Sequence, residues 1–259
     1  MFTPPQTEYF IVFGFPIYYY GIILAFAILT GVIVSNHIAQ KHYYMPNIIP
    51  DIATGTIISG IIGARLYYCL LNLPFYMHNP LDIFAIRQGG LSIHGAILGG
   101  AAALFFYSKK HNIKFLKLCD IVSVGLPLAQ AIGRWGNFYN SEAFGLPTNL
   151  PWKMFISPLH RPEKYITSDY FHPTFLYESV FDFIIFIFLY KIALNKYKDK
   201  SGIITCYYLI LYSIVRFFIE SLRVDCTSYI MGLPTPQFIS LLIIIFLSLY
   251  SLFQIYLKH

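Results

Sequence analysis

The sequence predicts an all-α, polytopic membrane protein with about seven transmembrane helices and a small extracytoplasmic cap. Three observations carry that expectation: the scarcity of charge, the length and spacing of the apolar runs, and the confinement of lysine to alternate loops. Of 259 residues, 57% are hydrophobic and only 12% charged, with a mean hydropathy of +0.60. A soluble domain carries roughly 25% charged residues, so this chain could not cover its surface in water. Aromatic residues make up 19% of it, and Tyr and Trp favour the bilayer interfaces.

A span needs roughly 20 predominantly apolar residues. Seven stretches qualify: 16–36, 51–73, 91–108, 116–133, 174–192, 202–221 and 235–256. The third contains Gly99-Gly100 and the fourth Pro127, each an interruption of the apolar pattern. The single long connection, 134–173, holds Pro147, Pro151, Pro158, Pro162 and Pro173, so it reads as a cap outside the membrane. No internal repeat or low-complexity linker divides the chain, and 1–259 reads as one transmembrane domain.

Lysine sets the orientation. Lys41 follows the first stretch. Lys109, Lys110, Lys114 and Lys117 lie between the third and fourth, Lys191, Lys196, Lys198 and Lys200 between the fifth and sixth, and Lys258 after the seventh. Only Lys153 and Lys164 lie elsewhere. Lysine-rich loops stay in the cytoplasm, which places the N-terminus and the cap outside and the C-terminus inside. The six arginines avoid these loops. Arg87, Arg134, Arg161 and Arg223 fall at outward ends, whereas Arg65 and Arg216 are embedded. Each embedded arginine lies about fourteen residues, or about 21 Å of helix, from the cytoplasmic end of its span. That is the outer half of a hydrocarbon core roughly 30 Å thick.

Other polar groups converge on the same level. Tyr20 opens the first span, and Arg87-Gln88-Gly89-Gly90-Leu91-Ser92-Ile93-His94-Gly95 leads into the third. Arg134, Asn137, Asn140 and Glu142 close the fourth. Tyr212, Arg216, Glu220 and Arg223 recur at helical spacing on one face of the sixth. The plainer reading makes Arg216–Glu220 a structural ion pair, Arg223 a snorkelling anchor, His94 a core histidine and Gly95, Gly99 and Gly100 packing residues. Against it stands convergence: four segments bring cationic or hydrogen-bonding groups to one leaflet, where such groups are expensive without partners.

Arginines facing the outer leaflet suit an anionic lipid headgroup, since the planar guanidinium grips phosphate with two parallel hydrogen bonds. Tyr and Asn can fix glycerol hydroxyls. Expelling a phosphate-linked leaving group needs its growing charge stabilised, and a thiol nucleophile needs a base, for which His94 has the right range.

Other classes fit less well. The net charge of +6 comes from topology-setting loop lysines, so no nucleic-acid partner is expected. Cys69, Cys119, Cys206 and Cys226 show no metal spacing or disulfide framework. Neither metal nor organic cofactor is expected. The first Lys or Arg is Lys41, so the positive region of a cleavable signal peptide is missing. Gly90-Leu91-Ser92 matches only a fragment of a serine-protease motif, and no HExxH occurs. A transporter or flippase for an anionic lipid or solute is the alternative, opposed by the lack of a repeat and the one-leaflet clustering.

The stretch Gly133-Arg134-Trp135-Gly136-Asn137-Phe138-Tyr139-Asn140-Ser141-Glu142-Ala143-Phe144-Gly145 resembles the signature of bacterial prolipoprotein diacylglyceryl transferases. Tyr19-Tyr20-Gly21, Gly63-Ala64-Arg65-Leu66, Gln88 to Gly95, His172-Pro173-Thr174 with Leu176-Tyr177-Glu178, and Tyr212, Arg216, Glu220 and Arg223 are similar to its other motifs, so the likeness covers nearly the whole chain. It departs from the family at Ala96, Phe175 and Tyr139, where a second Gly, a Gln and an aliphatic residue are usual. None of the three removes a charged group.

The resemblance implies transfer of the sn-1,2-diacylglyceryl group of phosphatidylglycerol to the lipobox cysteine of a prolipoprotein signal peptide. The products are a thioether and glycerol phosphate, and the place is the outer face of the bacterial cytoplasmic (inner) membrane. It carries over Arg134 and Arg216 as headgroup-binding residues, and Tyr20, His94, Asn137, Glu142 and Glu220 as site residues. Arg65, Asn140, Tyr212 and Arg223 complete the expected phosphatidylglycerol site.

Overall fold

The computed structural model describes residues 1–5, 7–86, 89–224 and 228–256. Arg87, Gln88, Cys226 and Lys258, each used in reading the sequence, lie outside the described residues. In chain order the elements are β1 (Tyr9–Val12), β2 (Phe15–Tyr18), α1 (Tyr19–Tyr43), α2 (Ile48–Leu71), α3 (Leu73–His78), α4 (Ile93–Lys110), α5 (Phe115–Tyr139), β3 (Met154–Phe155), β4 (Tyr170–Phe171), α6 (Thr174–Phe188), α7 (Leu194–Tyr197), α8 (Ile203–Glu220), β5 (Tyr229–Ile230), β6 (Leu233–Pro234) and α9 (Thr235–Tyr256). A wider π-helical turn, Leu189–Ala193, joins α6 to α7.

Each of the seven apolar stretches coincides with a helix. Among the described residues five helices are long and apolar enough to cross a membrane: α1, α2, α5, α8 and α9. Of the other two, α4 closes on Lys109 and Lys110, and α6 runs only 15 residues before the π turn. Apolar side chains stand exposed along the helices, Phe26, Ile62, Phe106 and Phe246 among them. In a membrane, lipid covers such faces. The chain is a multi-pass membrane protein.

Two compact units form, one from Met1–Val34 with Val122–His259 and the other from Ser35–Ile121. In the second unit α2 packs closely on α4. A Cβ on Gly63 would strike the Gly95 carbonyl, and one on Gly99 the Ser59 carbonyl, so the backbones meet where side chains are missing. This is why Gly99-Gly100 does not interrupt α4: glycine there is a packing surface. Pro127 likewise sits inside an unbroken α5.

In the first unit α6, α8 and α9 pack together, and Gln237 on α9 donates to the Phe217 carbonyl at 2.9 Å. α5 runs six residues past the expected end of the fourth span, so Arg134 and Asn137 belong to its last turns. The segment after it folds over a small aromatic core of Phe144, Met154, Ile156, Phe171 and Phe175. There β3 pairs antiparallel with β4, Phe2 bridges to Met154, and Arg161 ties Ile156, Ile166 and Asp169 together.

Candidate active site

Of the five span-length helices, α5 and α8 have the largest buried share, 44% and 39%, against 17–22% for the rest. These two carry Arg134 and Arg216. Glu178, on the first turns of α6 and only 3% exposed, joins them. One of its carboxylate oxygens pairs with Arg134 Nη2. The other accepts from Arg216 Nη1 at 3.1 Å and faces Arg223 Nη1 at 3.7 Å. Arg216 Nη2 reaches Glu220 at 2.6 Å, one turn on. Arg134 Nη2 also donates to the Tyr212 hydroxyl at 3.4 Å. Beneath them Tyr208 donates to Gln130 at 2.9 Å. Asp182, one turn beyond Glu178, is fully buried, and its oxygens have no hydrogen-bond partner among the described residues.

The exposures show how this cluster can work. Glu178 and Glu220 lie 3% and 4% exposed as side chains, whereas the Arg134 and Arg216 side chains keep 20% each. The buried acids hold the two guanidiniums, and the arginine side chains keep a small share of exposed surface. Among the described residues Arg134 makes its hydrogen bond and ion pair through Nη2 alone, whereas Arg216 commits Nη1 to Glu178 and Nη2 to Glu220. Buried acids that fix two arginines side by side form a ready grip for a phosphate.

The second group lies just beyond, where α5 ends. Asn137 and Asn140 both donate to Glu142 Oε1, at 3.0 and 3.4 Å. The Glu142 amide returns to the Asn137 carbonyl at 3.0 Å. Ser141 and Ala143 adopt φ of 52° and 55° to make this tight turn, a conformation uncommon outside glycine. Tyr20 reaches the group from α1 because Gly136 has no side chain: a Cβ there would lie 2.7 Å from the Tyr20 ring. Tyr20 is thereby within electrostatic range of both Glu142 and Arg134.

The turn is held from behind. The Gly145 amide donates to the His172 carbonyl at 2.9 Å, and the Leu146 amide to the Leu222 carbonyl at 2.7 Å. Thr174 Oγ1 donates to the Ala143 carbonyl. Trp152 Nε1 donates to the Tyr177 hydroxyl at 2.8 Å, which lies 3.1 Å from His172 Nδ1. Burial pushes the His172 pKa below the ordinary imidazole value. A neutral imidazole has one donor and one acceptor nitrogen, so Tyr177 links the Trp152 donor to the His172 ring.

Two expected site residues belong to the other unit. Arg65 spends its guanidinium on backbone carbonyls: Nε on Ile83 at 2.9 Å, Nη1 on Gly89 and Gly90 at 2.7 and 3.0 Å, Nη2 on Asp82 at 2.5 Å. It ties down the loop before α4 and lies 5.4 Å over the Tyr76 ring. His94 is exposed in the first turn of α4, with its ring 6.0 Å from that of Tyr67. Within the first unit, Tyr20, Arg134, Asn137, Asn140, Glu142, Tyr212, Arg216, Glu220 and Arg223 all gather at the ends of α5 and α8 and the start of α1. The sequence reading gave no role to Glu178, Asp182 or Gln130. A signal was available for the two acids, since a carboxylate within an apolar helix marks a functional site by default.

Fold and site together define a multi-pass helical membrane protein with a buried arginine–carboxylate cluster. The profile of the prolipoprotein diacylglyceryl transferase family matches residues 8–253, and the chain belongs to that family. It is 44% identical over 250 residues to a phosphatidylglycerol–prolipoprotein diacylglyceryl transferase of Synechococcus elongatus, covering 95% of this chain and 86% of the relative. Identity is also 44% over 229 residues to the enzyme of that name from Synechocystis, covering 86% and 81% of the two chains. The Thermotoga maritima enzyme of the same name is 44% identical over 218 residues, 82% of this chain and 72% of the relative.

Proposed function

We propose that this protein transfers the sn-1,2-diacylglyceryl group of phosphatidylglycerol to the lipobox cysteine thiol of a prolipoprotein signal peptide. The thiol sulfur forms a new bond to the sn-3 carbon of the diacylglyceryl group. The bond from that carbon to the phosphate oxygen breaks, and glycerol phosphate leaves with the electron pair. The thiol proton passes to a base. One observation carries the reading: Arg134 and Arg216, from different helices, are drawn together on buried Glu178 while each arginine side chain keeps 20% of its surface exposed.

In this reading Arg134 and Arg216 hold the phosphate and stabilise the charge that develops on it. Tyr212, Glu220 and Arg223 position them. Asn137, Asn140, Glu142 and Tyr20 surround the glycerol end. Arg65 is assigned to the loop it anchors, not to the headgroup. His94 is assigned as the base on its chemistry and motif. The enzyme works in the bacterial cytoplasmic membrane with seven spans, its site facing the outer leaflet and 140–173 forming the cap above it.

The test is chemical. Detergent-solubilised protein, phosphatidylglycerol and a lipobox peptide should yield a thioether-linked lipopeptide and glycerol phosphate without a sealed membrane. Purified, folded protein that forms no new bond under these conditions would point to lipid transport instead. His94→Gln should lose activity at neutral pH and regain part of it as the pH approaches the free-thiol pKa of about 8.5. An unchanged pH–rate profile at near-normal rate would remove His94 from proton transfer.

A further inference from the structure

Two hairpins of the first unit share one build. β1 and β2 pair from Tyr9↔Tyr18 to Val12↔Phe15, leaving the two-residue turn Phe13-Gly14. β5 and β6 pair from Tyr229↔Pro234 to Ile230↔Leu233, leaving Met231-Gly232. The sequences run parallel, Phe-Gly-Phe-Pro at 13–16 and Met-Gly-Leu-Pro at 231–234. The backbones do too: φ is 50° and 84° in the first turn, 49° and 80° in the second. Positive φ at both central residues suits Asn-Gly, and for a bulky residue it is a strained choice. Here a large apolar side chain occupies the strained position twice, and it is 97% exposed in Phe13 and 88% in Met231. Strain kept in place to present a particular side chain points to a use for that side chain.

The surroundings identify the use. Each hairpin runs directly into a membrane helix, α1 from Tyr19 and α9 from Thr235. No charged residue occurs between Glu8 and Lys41, or between Asp225 and Lys258. Phe15 and Ile11 are 74% and 68% exposed, and Tyr229 is 64%. A two-stranded hairpin is marginal in water by itself, and these would hold their apolar faces in water if they projected from the membrane. The hydrocarbon core is excluded as well, because the open strand edges would lose their hydrogen bonds there. The boundary between headgroups and acyl chains satisfies both demands. Tyrosines at the strand bases, Tyr9, Tyr18 and Tyr229, suit the same level.

We propose that the two hairpins are interfacial anchors, each laying its apolar tip into the phospholipid headgroup–acyl boundary of the leaflet that its own helix enters. The first anchor fixes the height at which Tyr19 and Tyr20 meet the membrane. The occupant is the lipid surface, by continuity with the membrane-facing helices α1 and α9. Neither the direction of topology nor the transfer activity is needed for it.

A photoreactive diazirine amino acid placed at position 13, 231 or 159 tests it, with the full protein in liposomes of phosphatidylglycerol and phosphatidylethanolamine. Leu159 is the control, 94% exposed on a short turn of the segment between α5 and α6. After illumination, phospholipid adducts should form at 13 and at 231 in several-fold excess over 159, mapped to the glycerol and upper acyl region. Adduct yields at either tip no higher than at 159 would overturn the proposal. So would cross-links from either tip to a second copy of the chain, which would make the hairpins a protein interface.

Discussion

Glu178 holds two arginines from two helices, and its removal leaves both without their shared counter-charge. Breaking a buried pair by deleting one partner costs about 3–5 kcal/mol, so Glu178→Ala should lower the thermal unfolding midpoint in detergent sharply. Added phosphatidylglycerol should recover part of that loss, because its phosphate supplies the missing anion and binding stabilises the folded state. No recovery would argue that the arginines do not take the headgroup. Arg216→Lys tests the same grip from the other side. Its two η nitrogens serve different acids, Glu178 at 3.1 Å and Glu220 at 2.6 Å, and a lysine cannot span both. Losing one charge-assisted hydrogen bond costs about 1.5–3 kcal/mol, or about ten- to a hundredfold in turnover. Near-normal activity in folded Arg216→Lys protein would leave only a structural pair. If the thiol belongs to the peptide substrate, as proposed, Cys69, Cys119, Cys206 and Cys226 should each tolerate Ala or Ser without loss of transfer. A lipid adduct on any of them would refute direct displacement. Arg216 and Glu220 stand out in the sequence as charges set in an apolar run, and Arg134 as one at the end of such a run. Glu178 as the common partner of the two arginines does not, because pairing across helices is a tertiary property. Arg65 shows the converse: its charge and depth look the same as those of Arg216, and only the fold reveals that its donors end on loop carbonyls.

At the scale of elements, period and length located the helices well, since an apolar run of some 20 residues has few other uses. The misjudged details share one cause. Gly99-Gly100 looked like a break but faces α2, and the helical run of α5 was cut short at the first charged residue. Polar residues do not end a membrane helix when partners await them, as Glu178 awaits Arg134 and Glu142 awaits Asn137. The signature glycines separate packing from sequence pattern in a measurable way. A Cβ on Gly136 would meet the Tyr20 ring at 2.7 Å, whereas one on Gly133, three residues earlier on the same helix, would meet nothing within 4 Å. Gly133→Ala should therefore stabilise the protein by about 0.5–1 kcal/mol, the gain of helix propensity alone. Gly136→Ala should displace Tyr20 and cut activity, with little gain or a loss in stability. Equal effects of the two substitutions on activity would remove the contact between α1 and α5 as the reason for glycine at 136.

For the whole molecule, one of the two units joins distant parts of the chain, Met1–Val34 with Val122–His259, while the other is the continuous stretch Ser35–Ile121. Sequence spacing could not show this, because contacts between helices leave little trace in apolar runs that all face lipid or one another. Orientation is different, since it depends on charge in the loops and is readable without any contact. Lysines flank alternate helices, at Lys41, at Lys109 to Lys117 and at Lys191 to Lys200. Retention of such loops in the cytoplasm would put the N-terminus, the Glu142 turn and the cap on the opposite side. Fusing a compartment-sensitive reporter after Lys110, Lys164 or Lys198 should give cytoplasmic, extracytoplasmic and cytoplasmic signals in turn. Lys110 closes α4, Lys198 follows α7, and Lys164 lies on a short turn between α5 and α6. A cytoplasmic signal at Lys164 would reverse the molecule and put the arginine cluster on the opposite face from the one proposed for transfer. Moving charge should move the signal. Replacing Lys109, Lys110, Lys114 and Lys117 together by Gln, with lysines added around Lys164, should weaken or invert the pattern. If the pattern were unchanged, something other than loop lysine would be setting the topology.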